Sequence, residues 1–362
     1  IINISVLKTP LYETHLALSA KMAPFGGWMM PIQYHGILAE HAHTRQNVSL
    51  FDICHMGEFI LQADPVLSGL DRVVTQNIIA MPVGSCRYGF ILNEQAGVLD
   101  DLVVYRLDKA KWMLVVNAAT TLDDYEHLKK NLSGEFKLEN ISVQTAKLDV
   151  QGPQSLDVLK NIFGEGLTKL NYYTFSEFVF QKENCIISRT GYTGELGFEI
   201  YIANHLVVKL WETLLKDTRV LPAGLGCRDT LRLEMGYPLY GQDLDINHTP
   251  LAAGLSKFVD LEKYFIGKEN LLKEKNQGPQ ERLICFQTDS RRSPRHGFAI
   301  FSGEQRVGIV TSGSFSPSLS VGIGLGYVSG NYDIGTALIV KGLGTEISVK
   351  VVKRPFVKVT SL

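Results

Sequence analysis

The densest group of chemically active side chains lies between Gly224 and Asp243. Gly224 and Gly226 permit a tight turn into a helix, and Arg228 and Arg232, four residues apart, then share one helix face. A guanidinium is permanently charged and pairs well with carboxylates. The segment is therefore either one wall of a polar ligand site or an exposed helix with a charged surface, and the pattern alone favours neither.

A pair of adjacent acids, Asp100 and Asp101, lies where a turn leads into an apolar strand. Neighbouring side chains of an extended chain point to opposite faces, so only one of the two can easily enter a given pocket. An ordinary aspartate, with a pKa of about 3.9, is ionised at neutral pH and suits the stabilisation of a cationic reaction centre. The alternative is that the pair only closes the turn, which is the commoner use of such residues.

Two further acids follow a glycine-rich turn that begins at Gly191. Glu195 and Glu199 would share one face of a regular strand, although a bulge at Gly197 could separate them. A buried glutamate would need a strong partner. The pattern alone favours a hairpin with two solvated carboxylates.

Histidines and cysteines give weaker indications. His41, His43 and His55 lack a zinc-binding spacing and are interpreted as surface or core residues. The five cysteines form neither a disulfide framework nor a paired metal motif, so they are predicted to be reduced and structural. The sequence contains no phosphate-binding loop and no nucleophile elbow.

The elements that would position these residues alternate irregularly. Strand-like runs arrive in pairs with helices between them, which indicates an α+β fold rather than a regular parallel array. Helix starts are predicted at Thr9-Pro10 and Asp64-Pro65 from the capping residue and proline. The predicted strands are 58–62, 87–92, 102–107, 112–117, 141–150, 177–181, 185–189 and 198–202, and the predicted helices are 121–131, 153–163 and 204–216.

The character of the chain changes after the polar stretch 273–280. Short strands with Gly and Ser turns follow at 282–287, 297–301, 305–312, 321–328, 336–341 and 346–352, with almost no helical pattern. This indicates a small β-barrel or sandwich. A length of 362 residues also favours more than one domain, and a boundary is predicted near residue 278.

The overall composition limits the classes of partner. The net charge is −1, so no global field attracts nucleic acid or an anionic membrane. No apolar run reaches the roughly 18 residues of a membrane span, and the first residues lack the order of a secretory signal. We expect an intracellular protein without nucleic-acid or membrane partners.

Seven segments together resemble the aminomethyltransferase, or T-protein, family of the glycine cleavage system. Each segment is modest alone, but their common order over nearly the whole chain is specific. The segments are Thr9 to Tyr12, Gly27 to Pro31, Phe51 to Gly57, Val98 to Leu102, Gly191 to Glu195, Gly226 to Glu234 and Gly308 to Pro317.

The resemblance implies a three-domain α+β clover-leaf. Two intertwined α+β folate-binding subdomains would occupy residues 1–278, the second at roughly 52–140, and an all-β barrel would occupy 279–362. Tetrahydrofolate would be a co-substrate, with no metal and no pyridoxal phosphate. The partner would be lipoylated H-protein, whose S-aminomethyldihydrolipoyl group gives 5,10-methylenetetrahydrofolate, ammonia and dihydrolipoyl H-protein. The compartment would be bacterial cytoplasm or, in a eukaryote, the mitochondrial matrix.

The resemblance also assigns residues. Asp100 would be the catalytic carboxylate that stabilises a cationic intermediate, Glu199 would bind the pterin edge and Arg228 would lie at the folate site. The positions that line the ligand would be Tyr88, Asn117, Tyr192 and Tyr237. Two alternatives stay open: another folate-dependent demethylase of the superfamily, and a non-enzymatic folate-binding factor for iron-sulfur protein maturation.

Overall fold

The computed structural model describes residues 6–359. Its helices are α1 Tyr12–Ala17, α2 Ile37–Gln46, α3 Leu70–Val73, α4 Thr121–Asn131, α5 Ser155–Phe163, α6 Val207–Leu214, α7 Leu225–Glu234 and α8 Lys268–Gln277. Over the described range, none of these helices is long and apolar enough to cross a membrane.

The strands form four sheets. Those before the barrel are β1 Leu7–Lys8, β2 Lys21–Phe25, β3 Trp28–Gln33, β4 Val48–Asp52, β5 Gly57–Gln62, β6 Cys86–Leu92, β7 Val98–Asp108, β8 Lys111–Val116, β9 Lys137–Asn140, β10 Thr145–Gln151, β11 Phe175–Phe180, β12 Glu183–Ser188, β13 Gly197–Ala203 and β14 Val220–Pro222. The barrel strands are β15 Glu281–Thr288, β16 Ala299–Ser302, β17 Gln305–Ser316, β18 Val321–Ser329, β19 Ala337–Gly342 and β20 Thr345–Val352.

The first sheet has six strands in the order β11-β12-β13-β10-β4-β14. Its core side carries alternating apolar residues of β10, namely Ala146, Leu148 and Val150, which pack with Trp211 of α6 and with α5. Polar residues alternate with them on the other side of β10. This strand therefore has one apolar face in the hydrophobic core and one polar face, which is also buried.

The second sheet has five strands in the order β6-β7-β8-β5-β9, and α3 and α4 contribute to its core. It lies in the chain between β4 and β10, which pair with each other in the first sheet. The second unit is thus an insertion between two strands that are neighbours in space.

The last six strands close into a barrel in the order β15-β18-β17-β16-β19-β20. A shared apolar cluster joins the barrel to the second sheet through Phe90 of β6, Leu233 of α7 and Leu325 of β18. A three-stranded sheet, β1-β3-β2, packs against α7 through β3. The predicted α+β class with a C-terminal barrel is confirmed.

Three element predictions need correction. The helix predicted at Thr9 begins at Tyr12, because the Thr9 hydroxyl donates to Asp52 at 2.6 Å and does not cap the helix with its side chain. The strand predicted from Ile141 begins at Thr145, because residues 141–144 form a turn. The helix predicted at Asp64-Pro65 begins only at Leu70, because Asp64 Oδ1 accepts from the Val66 and Leu67 nitrogens at 2.9 Å within a turn that precedes α3.

Candidate functional site

A cavity of about 360 Å³ lies where the two mixed sheets meet α7 and the loop that follows it. Its walls come from β2, β3, both mixed sheets, α7 and the loop after α7. The polar wall residues include Tyr88, Asp101, Asn117, Lys147, Glu199, Arg228 and Asp229, and the apolar ones include Phe25, Ile32, Ile53, Met56, Val103 and Leu225. A volume of this size suits a drug-sized organic ligand.

Asp101, not Asp100, is the acid of the pair that lines the cavity. The Tyr88 hydroxyl donates to Asp101 Oδ2 at 2.8 Å, and Asn117 Nδ2 donates to Asp101 Oδ1 at 2.8 Å. Asp100 is fully buried, and its two oxygens accept from the backbone and side-chain nitrogens of Asn117 at 3.0 and 2.8 Å. Asp100, the acid predicted to be catalytic, lies behind the wall and helps to hold Asn117.

The two acids differ in charge as well as in position. Burial and then the nearby Asp124 raise the pKa of Asp100 well above its usual range. Burial and then the charge of Asp100 raise the pKa of Asp101 to about 7. Both carboxyls therefore bind a proton more readily than an ordinary aspartate, and Asp101, near its midpoint at neutral pH, can become the anion that faces the cavity.

Glu199 on β13 lies in the cavity wall as predicted and has strong partners. Lys147 Nζ lies 3.2 Å from Glu199 Oε1, and the Thr190 hydroxyl donates to Glu199 Oε2 at 2.5 Å. Burial alone would raise the pKa of Glu199, but Lys147 and Thr190 outweigh it and hold the pKa below its usual value. Glu195 does not share this site, because Arg45 binds it at 2.9 Å elsewhere.

Lys147 lines the cavity, but the sequence analysis did not identify it as a site residue. It is 2 % exposed and lies on β10. A signal was present in the pattern: Lys147, Asp149 and Gln151 alternate with the apolar core residues of β10. This alternation gives the strand a polar face toward the site, although a lysine there resembles any solvated strand residue.

Arg228 lies in the cavity wall on α7, as predicted. It forms an ion pair with the fully buried Asp149 of β10, and its guanidinium lies 5.1 Å from the ring centre of Tyr192. Burial and the negative charge of Glu199 raise the pKa of Asp149 to about 6, although Arg228 opposes them. The ion pair orients Arg228 toward the ligand space between the first sheet and α7.

The remaining predicted residues either line the cavity or support residues that line it. Tyr192 lines the cavity and its hydroxyl donates to the Pro238 carbonyl. Tyr237 is stacked on Tyr192, with ring centres 5.8 Å apart, and does not line the cavity, which corrects its expected place in the wall. Arg232 reaches the cavity edge, but its nitrogens bind Asp229 and Asp243, each at 2.8 Å.

His55 is a second wall residue that the sequence did not indicate. It is 7 % exposed and packs edge-on against Phe25, with ring centres 5.7 Å apart. Burial lowers the pKa of His55 to about 4, so the imidazole is neutral at physiological pH. Among residues 6–359, no group of three His, Cys, Asp or Glu side chains is placed to hold a metal ion.

Family models match most of the chain. The GCVT N-terminal domain matches residues 11–263, and the glycine cleavage T-protein C-terminal barrel domain matches residues 281–358. The chain is also 43 % identical over 354 residues to an aminomethyltransferase of Pseudothermotoga lettingae, covering 96 % of this chain and 97 % of the relative. The chain belongs to the glycine cleavage T-protein family.

Other members of the T-protein family agree in sequence and structure. An aminomethyltransferase of Halothermothrix orenii is 41 % identical over 357 residues, covering 97 % of this chain and 99 % of the relative. The crystal structure of the glycine cleavage system aminomethyltransferase T from Bartonella henselae is 35 % identical, with a TM-score of 0.93 over 98 % of this chain and 99 % of that one. The match includes all four sheets, so the cavity lies within a T-protein fold.

Proposed function

We propose that this protein transfers the aminomethyl carbon from the dihydrolipoyl arm of H-protein to tetrahydrofolate. The products are 5,10-methylenetetrahydrofolate, ammonia and dihydrolipoyl H-protein. The observation that carries the proposal is the cavity. Its wall combines polar side chains, held by ion pairs and hydrogen bonds, with flat aromatic side chains, and it lies inside a T-protein fold. H-protein and tetrahydrofolate are accordingly the proposed partners.

The polar wall suits the pterin edge of folate. Glu199 is held as an anion by Lys147, and each carboxylate oxygen has a second lone pair with which to accept from a ligand N–H. Tyr88 and Tyr192 add flat faces to the wall. Arg228 supplies a fixed positive charge for an anionic part of the ligand.

Asp101 is the proposed catalytic carboxylate in place of Asp100. Positive charge develops on the transferred carbon and its nitrogen as the bond to sulfur weakens, and an anion in the wall stabilises that charge. Tyr88 and Asn117 fix both oxygens of Asp101 before any ligand binds. The carboxylate therefore needs little reorganisation when the charge appears.

The deciding experiment supplies aminomethyl-loaded H-protein and tetrahydrofolate and measures methylenetetrahydrofolate and ammonia. Both products should appear in equal amounts, and H-protein without the aminomethyl group should give neither. Tight folate binding without either product would overturn the proposal and favour the non-enzymatic folate-binding factor. No feature of the described cavity favours the alternative demethylase.

A further inference from the structure

The strand face that carries Asp100 meets an acid from another element. Asp100 alternates with Leu102 and Val104 along β7. Both of these apolar residues pack in one buried cluster with Leu128 of α4. Asp124 lies one helical turn before Leu128, so it belongs to the same buried face of α4. Two carboxyl groups therefore meet between the strand and the helix, behind the cavity wall.

Asp100 and Asp124 form a buried carboxyl pair. Their side chains are hydrogen-bonded to each other, and their exposed fractions are only 0 % and 2 %. Two carboxylate ions offer acceptors alone, so this contact requires one proton between them. Within residues 6–359, no N–H or O–H donor binds the buried Asp124 Oδ2 in place of such a proton.

The surroundings favour the proton on Asp100. Burial outweighs the two hydrogen bonds from Asn117 and raises the pKa of Asp100 well above its usual range. Asp124 lies in the first turn of α4, where the helix dipole favours an anion, and burial raises its pKa only to about 6. The other titratable side chains around the pair are acids or phenols, namely Asp101 on β7, Asp123 on α4, and Tyr240 and Asp245 in the loop after α7.

We propose that Asp124 is a positioning residue for the transfer reaction, because it carries the negative charge of the pair while Asp100 carries the shared proton. The inference rests on the proposed function, since it concerns how Asp101 becomes the anion in the cavity wall. A charge on Asp100, the residue next to Asp101, raises the pH at which Asp101 ionises. A charge on Asp124 lies farther away, behind Asp100, and opposes that ionisation less.

The first test is the pH profile of single-turnover transfer from aminomethyl-loaded H-protein to tetrahydrofolate. Asp124→Asn places an amide donor against Asp100, which must then hold the charge itself. The midpoint of the rise in rate should move upward by about one pH unit, and the rate at high pH should return to the unmodified value. A variant that only loosens the structure would instead lower the rate at every pH.

Two variants serve as controls for the pH profile. Asp100→Asn leaves the charge on Asp124, so its midpoint should stay at or slightly below that of the unmodified protein. Asp123→Asn removes an exposed acid from the same turn of α4 and should leave the midpoint unchanged, because solvent screens its charge. A midpoint that falls strongly in Asp100→Asn and does not move in Asp124→Asn would show that Asp100 already holds the charge, which would overturn the proposal.

Infrared difference spectra test the proton itself, independently of activity. Slightly above neutral pH, subtracting the spectrum of Asp100→Asn from that of the unmodified protein should leave the carbonyl stretch of one protonated carboxyl. Asp124→Asn should lose the same band and Asp123→Asn should keep it. The comparison with Asp100→Asn decides the matter even where Asp124→Asn does not fold. Unmodified protein that makes no product would overturn the proposed function, whereas a band that persists in Asp100→Asn would overturn only the role of the pair.

Discussion

Asp100 and Asp101 are adjacent in sequence but have different surroundings. Burial and then Asp124 raise the pKa of Asp100, and Asn117 donates to both of its oxygens. Asp101 can ionise because its pKa is about 7. The buried Asp100 thus orients the amide that supports Asp101, and of these two acids only Asp101 lines the cavity.

This division predicts opposite outcomes for two conservative substitutions. Asp101→Asn removes the anion and should slow aminomethyl transfer about a hundred- to thousandfold, while folate binding is largely kept. Asp100→Asn leaves the carboxylate that faces the cavity in place and should stay within about tenfold of the unmodified rate. Single-turnover rates with loaded H-protein measure both effects.

The pH dependence is the control for this interpretation. Ionisation of Asp101 should make the unmodified rate rise as pH increases through about 7, and Asp101→Asn should lack that rise. Asp100→Asn should keep the rise, with its midpoint shifted downward if any charge on Asp100 disfavours ionisation of its neighbour. A large loss in Asp100→Asn with a normal rate in Asp101→Asn would contradict the assignment.

Sequence reasoning established that only one of these acids could enter a pocket, but not which one. The choice depends on the orientation of β7 between β6 and β8, where Asn117 follows the end of β8 and binds both acids. Such pairing joins residues that are far apart in the chain. The same limit hid Lys147, because its ion pair with Glu199 joins two strands that are far apart in the chain.

Among the elements, α7 is positioned by close contact with β3. A Cβ atom added to Gly224 would lie 2.3 Å from the backbone carbonyl of Ile32, so the two segments can approach only with glycine there. Glu40 of α2 also accepts a hydrogen bond from the Gly224 nitrogen at 2.9 Å. These contacts set the place from which Arg228 reaches the cavity.

Gly224→Ala should therefore lower the free energy of unfolding by about 1–3 kcal/mol and weaken folate binding, because α7 must shift away from β3. Its φ of −96° is accessible to alanine, so the effect comes from space rather than backbone strain. Thermal unfolding and calorimetry with folate measure the two losses. Gly226→Ala is the matched control for stability: its Cβ would meet mainly the flexible end of Ile37 and lie 3.1 Å from the Ile32 carbonyl oxygen, and a loss of unfolding free energy as large as that of Gly224→Ala would contradict this account.

Element prediction succeeded where the hydrophobic pattern was regular. The predicted helix 121–131 coincides with α4, and all six predicted barrel strands overlap β15 to β20. The hydrophobic pattern does not indicate α2, because the buried residues of this helix are the polar Glu40, His41 and Thr44. Hydrogen bonds to other segments satisfy these side chains, and an apolar period cannot reveal them.

At the scale of the whole molecule, one ionic cluster ties α7 to the barrel. Asp243 accepts from Arg232 at 2.8 Å and from the barrel residues Thr311 and Ser312 at 2.5 and 2.8 Å. Both Arg232 and Asp243 are almost completely buried. Loss of either charge would leave the other buried with fewer partners, which is costly.

Asp243→Asn should lower stability by about 3 kcal/mol and increase hydrogen exchange in β17. Hydrogen-exchange mass spectrometry at neutral pH measures both the global and the local change. Asp217→Asn is the matched control, because its ion pair with Arg219 is partly exposed to solvent and contributes little. Unchanged exchange in β17 of Asp243→Asn would show that the cluster does not hold the barrel.

The insertion of the second sheet between β4 and β10 has a consequence during protein synthesis. Val48 of β4 pairs with Val220 of β14, so the first sheet cannot be completed until about 170 further residues have left the ribosome. At a synthesis rate of about 5–20 residues per second, that takes roughly 10 to 30 s. The five strands of the inserted unit are all made within this interval, so they can fold before their host sheet exists. The newly made β4 must stay unpaired until β10, its other neighbour in the sheet, has been made.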